Sequence, residues 1–295
     1  MIRSGRTYPV PKVCYGEYMN KNEHLQTTAT VNLHDYHRVV ISSSGGKDSQ
    51  AQLTHLVELA RTQGYPLDRV TVSHADLGRS EWAGTGELVH DQAGAYGVEV
   101  RVVKRPQGDL LDQIEARGMW PSSKQRYCTS DQKRGQLAKV VTGLHREARE
   151  AGHTGTYRVL ECLGMRGQES PARAKLVPFS RNTRLSTKTR QVDTWLPIHA
   201  WTVEQVWETI NQSGLPHHRA YDLGMPRLSC VFCIFSPKAG LVLAGRHNRQ
   251  LLVQHVELEK RIGHSFRKEL PLADVLKAVD EEPPQDAETV ADWTM

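Results

Sequence analysis

A short glycine-containing turn constrains this chain more than any other feature. The stretch 39–53 reads VVISSSGGKDSQAQL, so an apolar strand runs into Ser44-Gly45-Gly46-Lys47-Asp48-Ser49, where helical spacing begins. Such a turn presents backbone N–H groups and the positive end of a helix dipole to an anion. Lys47 adds a positive charge, and Ser44 and Ser49 add hydroxyl donors. The turn is not a Walker A loop, because G-x-x-x-x-G-K-[ST] is absent. It predicts a phosphate-binding loop, against the alternative of an ordinary glycine turn that carries a lysine.

Strand-like and helix-like segments alternate around this turn. The patterns predict strands at 39–42, 69–76, 98–103 and 157–165, and helices at 49–62, 87–95, 109–117 and 131–150. Alternation at this spacing indicates an α/β fold with a doubly wound parallel sheet. Farther along, Thr202 and Gln205 form a capping box that opens a helix through Ser213, and 251–262 is a further helix. The C-terminal region is therefore predicted to be small and helical.

The chain divides into four predicted segments. They are an unpatterned arm at 1–35, an α/β nucleotide-binding domain at 36–200, a helical region at 201–279 with a Cys-x-x-Cys, and an acidic tail at 280–295. The tail carries six acidic residues and no Lys or Arg, so we expect it to be disordered. The stretch 180–191, SRNTRLSTKTRQ, has no period and predicts a mobile loop. No run of 18 apolar residues and no signal-peptide core is found, which predicts a cytoplasmic protein without a membrane span.

Positive charge is concentrated in two stretches. The net charge is +5, and because the tail is acidic the rest of the chain is more basic than that average. The basic residues cluster at 124–139 and 166–190. A basic surface suits phosphates and nucleic acid, although a solvated, unspecialised surface is an equal alternative.

Five cysteines occur without any export signal, which makes a disulfide framework the poorer interpretation. Cys230 and Cys233 form a Cys-x-x-Cys pair, for which metal binding or redox chemistry is expected. A structural zinc site needs four ligands, and His217 and His218 are near enough in sequence to supply two. A thioredoxin-like dithiol is the other alternative, but no strand–turn–helix context surrounds the pair.

Several motifs resemble those of a known family. The hexapeptide SGGKDS resembles the pyrophosphate-binding loop (PP-loop) of the N-type ATP pyrophosphatases. Four stretches resemble motifs of the phosphoadenylylsulfate (PAPS) reductase family: HADLG at 74–78, YCTSDQKRG at 127–135, GMRGQESPAR at 164–173, and 196–233, which begins LPIHAWT and ends CVFC. The resemblance spans roughly residues 35 to 240. One departure is Leu77, which replaces the usual threonine.

The resemblance implies an adenine nucleotide alpha-hydrolase-like fold, of HUP type, that binds ATP and Mg²⁺. The nucleotide-binding residues it implies are Ser44, Gly45, Gly46, Lys47, Asp48, Ser49, His74, Asp76, Gly164, Arg166 and Arg173, with Lys47, Asp48 and Arg166 catalytic. Arg166 and Arg173 follow a strand's carboxyl end, where they are placed to fork onto phosphate unless they are plain surface arginines. Asp48 and Asp76 are candidates for Mg²⁺, although Asp48 also suits a helix start.

The resemblance also implies an iron–sulfur cluster, of 4Fe-4S type, held by Cys128, Cys230 and Cys233. Iron-containing members of the family have two adjacent cysteines where this chain has Tyr127 and Cys128. The fourth ligand is therefore missing or comes from elsewhere. Cys162 is a possible fourth ligand, but it lies inside an apolar strand, where a lone cysteine is more often a core residue. Cys14 lies in the unpatterned arm.

Two departures from the family separate the possible functions. No cysteine follows Cys233, so the C-terminal nucleophile of the reductases is absent, and the loop SGGKDS is intact. Both features favour an ATP-dependent sulfurtransferase that adenylates a nucleic acid, DNA or tRNA, and transfers sulfur to it. The expected partners are a sulfur donor such as a cysteine desulfurase and a second copy of the chain in a homodimer. The alternatives are a sulfonucleotide reductase that uses an external thiol and a non-catalytic nucleotide- or DNA-binding component of a larger assembly.

Overall fold

The computed structural model describes residues 31–281, and its centre is a six-stranded sheet in the order β3-β2-β1-β4-β6-β5. The strands are Arg38–Ser43 (β1), Val70–Asp76 (β2), Glu99–Lys104 (β3), Tyr157–Leu163 (β4), Phe179–Arg181 (β5) and Arg190–Trp195 (β6). All neighbouring pairs are parallel except β5 and β6, which are antiparallel. The predicted α/β fold with a doubly wound, mostly parallel sheet is confirmed.

Helices cover both faces of the sheet and form the C-terminal region. They are Lys47–Thr62 (α1), Thr85–Gly94 (α2), Leu110–Arg117 (α3), Tyr127–Thr129 (α4), Gly135–Glu150 (α5), Pro171–Ala174 (α6), Val203–Ser213 (α7), Lys238–His247 (α8), Arg249–Ile262 (α9) and Leu272–Glu281 (α10). A π-helical turn, Ser130–Arg134, joins α4 to α5. Within residues 31–281, no helix combines the length and the apolar character that crossing a membrane requires.

The central strands are buried on both faces, which is why their sequences read as continuous apolar runs. Ile41 in β1, Val72 in β2 and Leu160 in β4 are fully buried. One face packs against α1 and α2, where Leu53 and Val57 lie on the predicted apolar stripe of α1. The other face packs against α5. The sheet is therefore the middle layer of a three-layer core.

The strand order places a crevice beside the glycine turn. The chain moves from β1 to β2 on one side, whereas β4 joins the opposite side of β1. This reversal is a topological switch point, and ligands of open α/β sheets bind outside the carboxyl ends of the strands there. The turn at residues 44–46 and Gly164, which follows β4, both lie at this edge.

The C-terminal helices share a core with α3. A cluster of buried residues joins Ile114 of α3 to Leu241 of α8, Leu252 of α9 and Val275 of α10. The segment 214–237, between α7 and α8, contributes Phe232 to this core and passes over the carboxyl edge of the sheet. The segment 214–237 therefore covers the crevice at the carboxyl edge of the sheet.

The predicted loop at 180–191 is correct for 182–189, which connect β5 to β6, whereas its first two and last two residues belong to those two strands. Its polar side chains bond to backbone carbonyls and to Glu161 of β4. Asn182 donates to Glu161 at 2.9 Å, Ser186 donates to the carbonyl of Asn182 at 2.8 Å, and Arg190 donates to the carbonyl of Leu185 at 2.8 Å.

The predicted arm and tail lie mostly outside the described residues. At the N-terminal side, the last residues of the predicted arm form a 3₁₀ turn, Leu33–Asp35, in which Leu33 is buried. At the C-terminal side, α10 continues to Glu281, two residues into the predicted tail. The segment boundaries at residues 35, 200 and 279 stay predictions.

Candidate functional site

The glycine turn has the shape that a phosphate-binding loop needs. Gly45 has a φ of 72°, in the left-handed region where glycine is favoured, and Gly46 precedes the first helical residue of α1. The Ser49 hydroxyl donates to the carbonyl of Gly46 at 2.8 Å and accepts the N–H of Ser44 at 3.2 Å. Ser49 therefore fixes the turn from inside, whereas Ser44 is exposed at its tip.

Residues of the C-terminal region cover the Lys47 side chain. Its side chain is 5% exposed, and its Nζ donates to the carbonyl of Pro226 at 3.2 Å. Its backbone N–H donates to the Tyr221 hydroxyl at 2.8 Å, and Nζ lies 5.6 Å from the centre of the Tyr221 ring. Burial raises the pKa of Tyr221, so its hydroxyl stays protonated. No sequence signal pointed to Tyr221, because it meets the turn only in the folded chain.

The predicted arginines surround the first turn of α1. Arg166 is 4% exposed and donates through Nε to the Asp48 carboxylate, which also lies 3.5 Å from Lys47 Nζ. Arg173 pairs with Glu169, and Arg227, which the sequence did not single out, lies 3.3 Å from the same carboxylate. Burial lowers the pKa of Arg173, and the neighbouring Arg227 lowers it further.

These charges do not cancel. Among residues 31–281, the three cations Lys47, Arg166 and Arg173 lie here with two carboxylates, Asp48 and Glu169. The excess of positive charge lies at the amino end of α1, where the helix dipole also favours an anion. The arrangement is therefore suited to a multiply charged anion such as a polyphosphate.

His74 supports the turn from beneath. It is 2% exposed, its Nδ1 lies 3.0 Å from the carbonyl of Ser43, and its Nε2 lies 3.4 Å from Glu81. Burial lowers the pKa of His74, but the contact with Glu81 and the Ser43 carbonyl outweighs it, so the pKa is raised. Asp76, at the end of β2, accepts the N–H of Gly78 at 2.8 Å. Glu81 lines the cavity, whereas Asp76 lies beside it at the half-buried end of β2.

Three of the predicted cysteine ligands line the same cavity. Cys128 lies in α4, and Cys230 and Cys233 lie in the segment before α8; all three are half-buried. Burial and the charge of Cys230 raise the pKa of Cys128, and they raise the pKa of Cys233 to about 11. In turn, the thiolate charges of Cys230, Cys233 and Cys128 raise the pKa of Lys133, which lies beside them. The cysteines are therefore close enough to interact electrically.

Cys162 is not brought to this group. It is fully buried in β4, between β1 and β6, and burial raises its pKa well above the usual value. Across residues 31–281, no three His, Cys, Asp or Glu side chains are close enough to hold a single metal ion. Thiols are the soft ligands that both iron–sulfur clusters and zinc take, so the type of ligand at the three cavity cysteines fits either group.

The turn and the cysteines face one continuous cavity of about 410 Å³. Its wall includes the predicted residues Ser44, Gly46, Asp48, Ser49, Gly164, Arg173, Cys128, Cys230 and Cys233. The predicted residues that do not line it are Gly45, Lys47, His74, Asp76, Arg166 and Cys162. The lining is mostly apolar and includes Trp120 and Phe266. A ligand bound at the turn would therefore share a chamber with the three thiols.

Comparison with known proteins agrees with this architecture. The phosphoadenosine phosphosulfate reductase domain profile matches residues 38–235. A protein of 37.8 kDa from the gpa 5′ region of Escherichia phage 186, described as uncharacterized, is 29% identical over 156 residues. That match covers 52% of this chain and 43% of the phage protein, so the chain spans less than half of that relative's length.

Solved structures with similar folds share little sequence with the chain. PAPS reductase from Candida auris, in a phosphate complex, is 17% identical with a TM-score of 0.42, covering 67% of this chain and 83% of that one. Candida glabrata FMN adenylyltransferase, with FAD and pyrophosphate, is 14% identical with a TM-score of 0.42, covering 67% and 58%. The U34-tRNA thiolase NcsA from Methanococcus maripaludis, with its 4Fe-4S cluster, is 16% identical with a TM-score of 0.40, covering 83% and 71%. These TM-scores are below 0.5, and we draw nothing further from them.

Proposed function

The chain belongs to the phosphoadenosine phosphosulfate reductase domain family, and from that premise we propose that it is an ATP-dependent sulfurtransferase. Its substrate would be a nucleic acid, DNA or tRNA, whose oxygen is first adenylated and then replaced by sulfur. One observation carries the proposal: the glycine turn and three cysteines open into a single cavity of about 410 Å³. An acceptor activated at the turn would then lie within reach of the sulfur chemistry.

The first half-reaction is supported by the charges at the turn. The acceptor oxygen attacks the α-phosphorus of ATP, the bond to the β-phosphate bridging oxygen breaks, and pyrophosphate leaves with that electron pair. Lys47 and the arginines Arg166, Arg173 and Arg227 supply fixed positive charge where the leaving pyrophosphate becomes more negative. Preorganised charge of this kind is usually the largest single contribution to such reactions.

Mg²⁺ would be held by Asp76 in preference to Asp48. The Asp48 carboxylate is already engaged by Arg166 and lies near Lys47, so its negative charge is offset within the chain. Asp76 uses one oxygen for the Gly78 N–H and is only half-buried, which leaves it able to ligate a hard cation. The ion would offset charge on the phosphates.

The second half-reaction would use the cysteines. Cys128, Cys230 and Cys233 are the residues that would hold an iron–sulfur cluster, which when bound would supply the sulfide that displaces AMP from the adenylated acceptor. The chain's own contribution is three half-buried thiols beside Lys133, whose ammonium group favours the loss of their protons when a cluster is bound. The proposal includes a cysteine desulfurase-type donor, whose persulfide sulfur is reduced to sulfide by two electrons from an external thiol that is oxidised to a disulfide, and a homodimer.

A sulfonucleotide reductase is the second candidate, because the matching profile carries the name of that activity. It would need an external thiol, since no cysteine follows Cys233. Two incubations distinguish these two candidate functions. Incubation with phosphoadenylylsulfate and thioredoxin releases sulfite only if the chain is a reductase, whereas incubation with ATP and an acceptor releases pyrophosphate only if it is a sulfurtransferase.

The decisive test is pyrophosphate release by Lys47→Ala beside the control Lys268→Ala. Lys268 is exposed and distant from the turn in sequence. Loss of the Lys47 charge is expected to lower the rate by about 10²–10³, as for removal of one preorganised donor, and the control should match the parent. Unchanged turnover in Lys47→Ala would show that the turn is not catalytic, and a parent protein that releases no pyrophosphate would favour the non-catalytic binding component.

Iron and sulfide analysis after anaerobic purification tests the cysteines. The parent protein and Cys162→Ala are expected to hold the same amount of iron, whereas Cys230→Ser and Cys233→Ser lose it. Loss of iron in Cys162→Ala, with the fold intact by circular dichroism, would instead make Cys162 the fourth ligand. A colourless, zinc-loaded and fully active parent protein would remove the cluster from the proposal.

A further inference from the structure

An exposed depression next to the reaction cavity collects basic side chains. It measures about 430 Å³, and we call it the basic concavity; its wall consists of Arg117, Ser123, Lys124, Gln125, Arg126, Tyr127, Ser130 and Arg134. The four basic residues are all exposed. Arg126 and Arg134 also line the reaction cavity, so the two spaces share a rim.

None of these four cations forms a salt bridge within the described residues, although the charge of Arg117 lowers the pKa of Asp131. Among residues 31–281, none of them lies within 4 Å of a carboxylate, whereas arginines elsewhere do: Arg101 pairs with Glu147 at 2.6 Å and Arg249 with Asp280 at 2.9 Å. The nearby Asp131 is engaged by the Ser130 hydroxyl at 2.6 Å and by the Gln113 amide at 2.7 Å. Glu115, one turn earlier, pairs with Arg261. The four cations of the basic concavity are therefore available to an external anion without the loss of a described salt bridge.

Two of the guanidinium groups are held in position by aromatic rings. Arg117 lies 4.4 Å from the centre of the Tyr127 ring, and Arg126 lies 4.9 Å from that of Phe235. Stacking on a ring orients a guanidinium plane without consuming its charge or its N–H donors. An oriented guanidinium group of this kind can donate two parallel hydrogen bonds to one phosphate.

The second basic stretch of the sequence behaves differently. Arg166 and Arg173 are engaged at the turn, Arg181 pairs with Asp193 at 2.6 Å, and Arg190 donates to the carbonyl of Leu185. Most arginines of the second basic stretch therefore form hydrogen bonds or ion pairs within the protein. Of the two stretches, the one around α4 is the one that presents several unneutralised cations to a single concave surface.

We propose that the basic concavity binds the phosphodiester backbone of the acceptor nucleic acid. Four cations around one depression match several consecutive phosphates, and a single small anion would not use all of them. The shared rim places a neighbouring nucleotide of the bound chain at the mouth of the reaction cavity. This inference rests on the proposed function for the identity of the acceptor, but its binding test does not require turnover.

The test measures binding of a labelled oligonucleotide by fluorescence anisotropy over a salt series. The variant Lys124→Gln/Arg134→Gln removes two cations with no described side-chain contact, and the matched control Arg184→Gln/Lys188→Gln removes two exposed cations from the second stretch. Each lost phosphate contact reduces the log–log salt slope by about 0.7 on a single strand. The concavity variant should therefore lose about 1.4 in slope, and the control should keep the parent value.

A third variant tests the stacked geometry. Arg126→Lys keeps the charge but loses the planar fork, so it should keep the parent slope and bind more weakly. Three outcomes would overturn the inference: equal losses in the concavity and control variants, loss in the control variant alone, or displacement of the oligonucleotide by polyglutamate, which shares its charge sign but not its phosphates, added at equal charge.

Pyrophosphate release by the parent protein, assayed with ATP and a saturating concentration of the oligonucleotide, separates this inference from the proposed function. If the parent protein binds the oligonucleotide through the concavity but releases no pyrophosphate, the function is wrong and the interface stands. If pyrophosphate is released while the concavity variant binds like the parent, the interface is wrong and the function stands.

Discussion

At the scale of single residues, the buried pair of Asp48 and Arg166 is the most sensitive feature of the site. Arg166 is 4% exposed, so removing its carboxylate partner leaves a buried charge uncompensated. Asp48→Ala is expected to lower the free energy of unfolding by about 3–5 kcal/mol. Urea denaturation without nucleotide measures it.

The control for this pair is Glu150→Ala. Glu150 lies 3.8 Å from Arg146 with both side chains mostly exposed, so its loss should change stability by less than about 1 kcal/mol. Equal losses in the two variants would mean that Arg166 is solvated or finds another acceptor when Asp48 is absent.

The buried His74 makes stability depend on pH in a defined direction. Burial lowers its pKa, but Glu81 and the Ser43 carbonyl raise it more, so the folded pKa lies above the unfolded value of about 6.5. A raised pKa contributes stability that is complete below the unfolded pKa and is lost as the pH rises through the folded pKa. The difference in unfolding free energy between the parent and His74→Gln should therefore shrink as pH rises above about 6.5. Urea titrations across that range would contradict this if the difference grew instead.

Residue-level reasoning on the sequence found part of the site. The sequence predicts several candidate site residues, because each belongs to a compact motif with its own spacing; they are Lys47, Asp48, Arg166 and the cavity cysteines. Tyr221 and Arg227 were not, because their partners are far away in the sequence; Lys47 and Tyr221 are 174 positions apart. Such contacts depend on how the C-terminal region folds over the sheet, which no local pattern encodes.

At the scale of elements, the close approach of β4 to α1 limits what residue 164 can be. A Cβ added to Gly164 would lie 3.1 Å from the carbonyl oxygen of Asp48 and 3.3 Å from the Cα of Ser49. Both are backbone atoms that cannot rotate away. Gly164→Ala is expected to cost about 1–3 kcal/mol of stability, as overpacking does, and to weaken nucleotide binding by shifting the turn.

The matched control is Gly143→Ala, inside α5. A Cβ there meets only a flexible glutamate side chain at 3.8 Å, and alanine favours a helix over glycine by up to about 1 kcal/mol. Thermal unfolding of the two variants should therefore shift in opposite directions. A Gly164→Ala protein as stable as the parent would show that the strand end and the helix can separate freely.

Element prediction succeeded where burial imposes a period. The strand at β2 and the helix α1 are examples, because their apolar residues repeat as a fully buried strand and a half-buried helix require. It failed for the short strands β5 and β6 at the edge of the sheet, where Asn182 donates to Glu161 of β4 and Ser186 donates to the carbonyl of Asn182. It also missed α8, whose sequence offers no side-chain cap.

At the scale of the whole molecule, the four cysteines within residues 31–281 divide into two environments. Cys162 is fully buried in the central sheet, whereas Cys128, Cys230 and Cys233 line a cavity. In iron-free, reduced protein, iodoacetamide should modify the three cavity cysteines in the native state. Cys162 should react only through global unfolding, so its rate should follow the urea dependence of the unfolding free energy.

Mass mapping of each cysteine over a urea series provides this measurement. Cys162 modification in native buffer at the rate of Cys128 would contradict it, because that would require local opening of β4. Slow labelling of all four residues would mean that the cavity is closed to a reagent of this size.

The bond between the Tyr221 hydroxyl and the Lys47 N–H has a consequence for how tightly any anion can be held. The Lys47 N–H, which would face an anion at the turn, already donates to the Tyr221 hydroxyl at 2.8 Å. A phosphate oxygen that binds this N–H must replace the Tyr221 hydroxyl, so the N–H contributes to the dissociation constant only the difference between the two hydrogen bonds. Binding of an anion at the turn and packing of residues 221–228 against the turn therefore compete with each other.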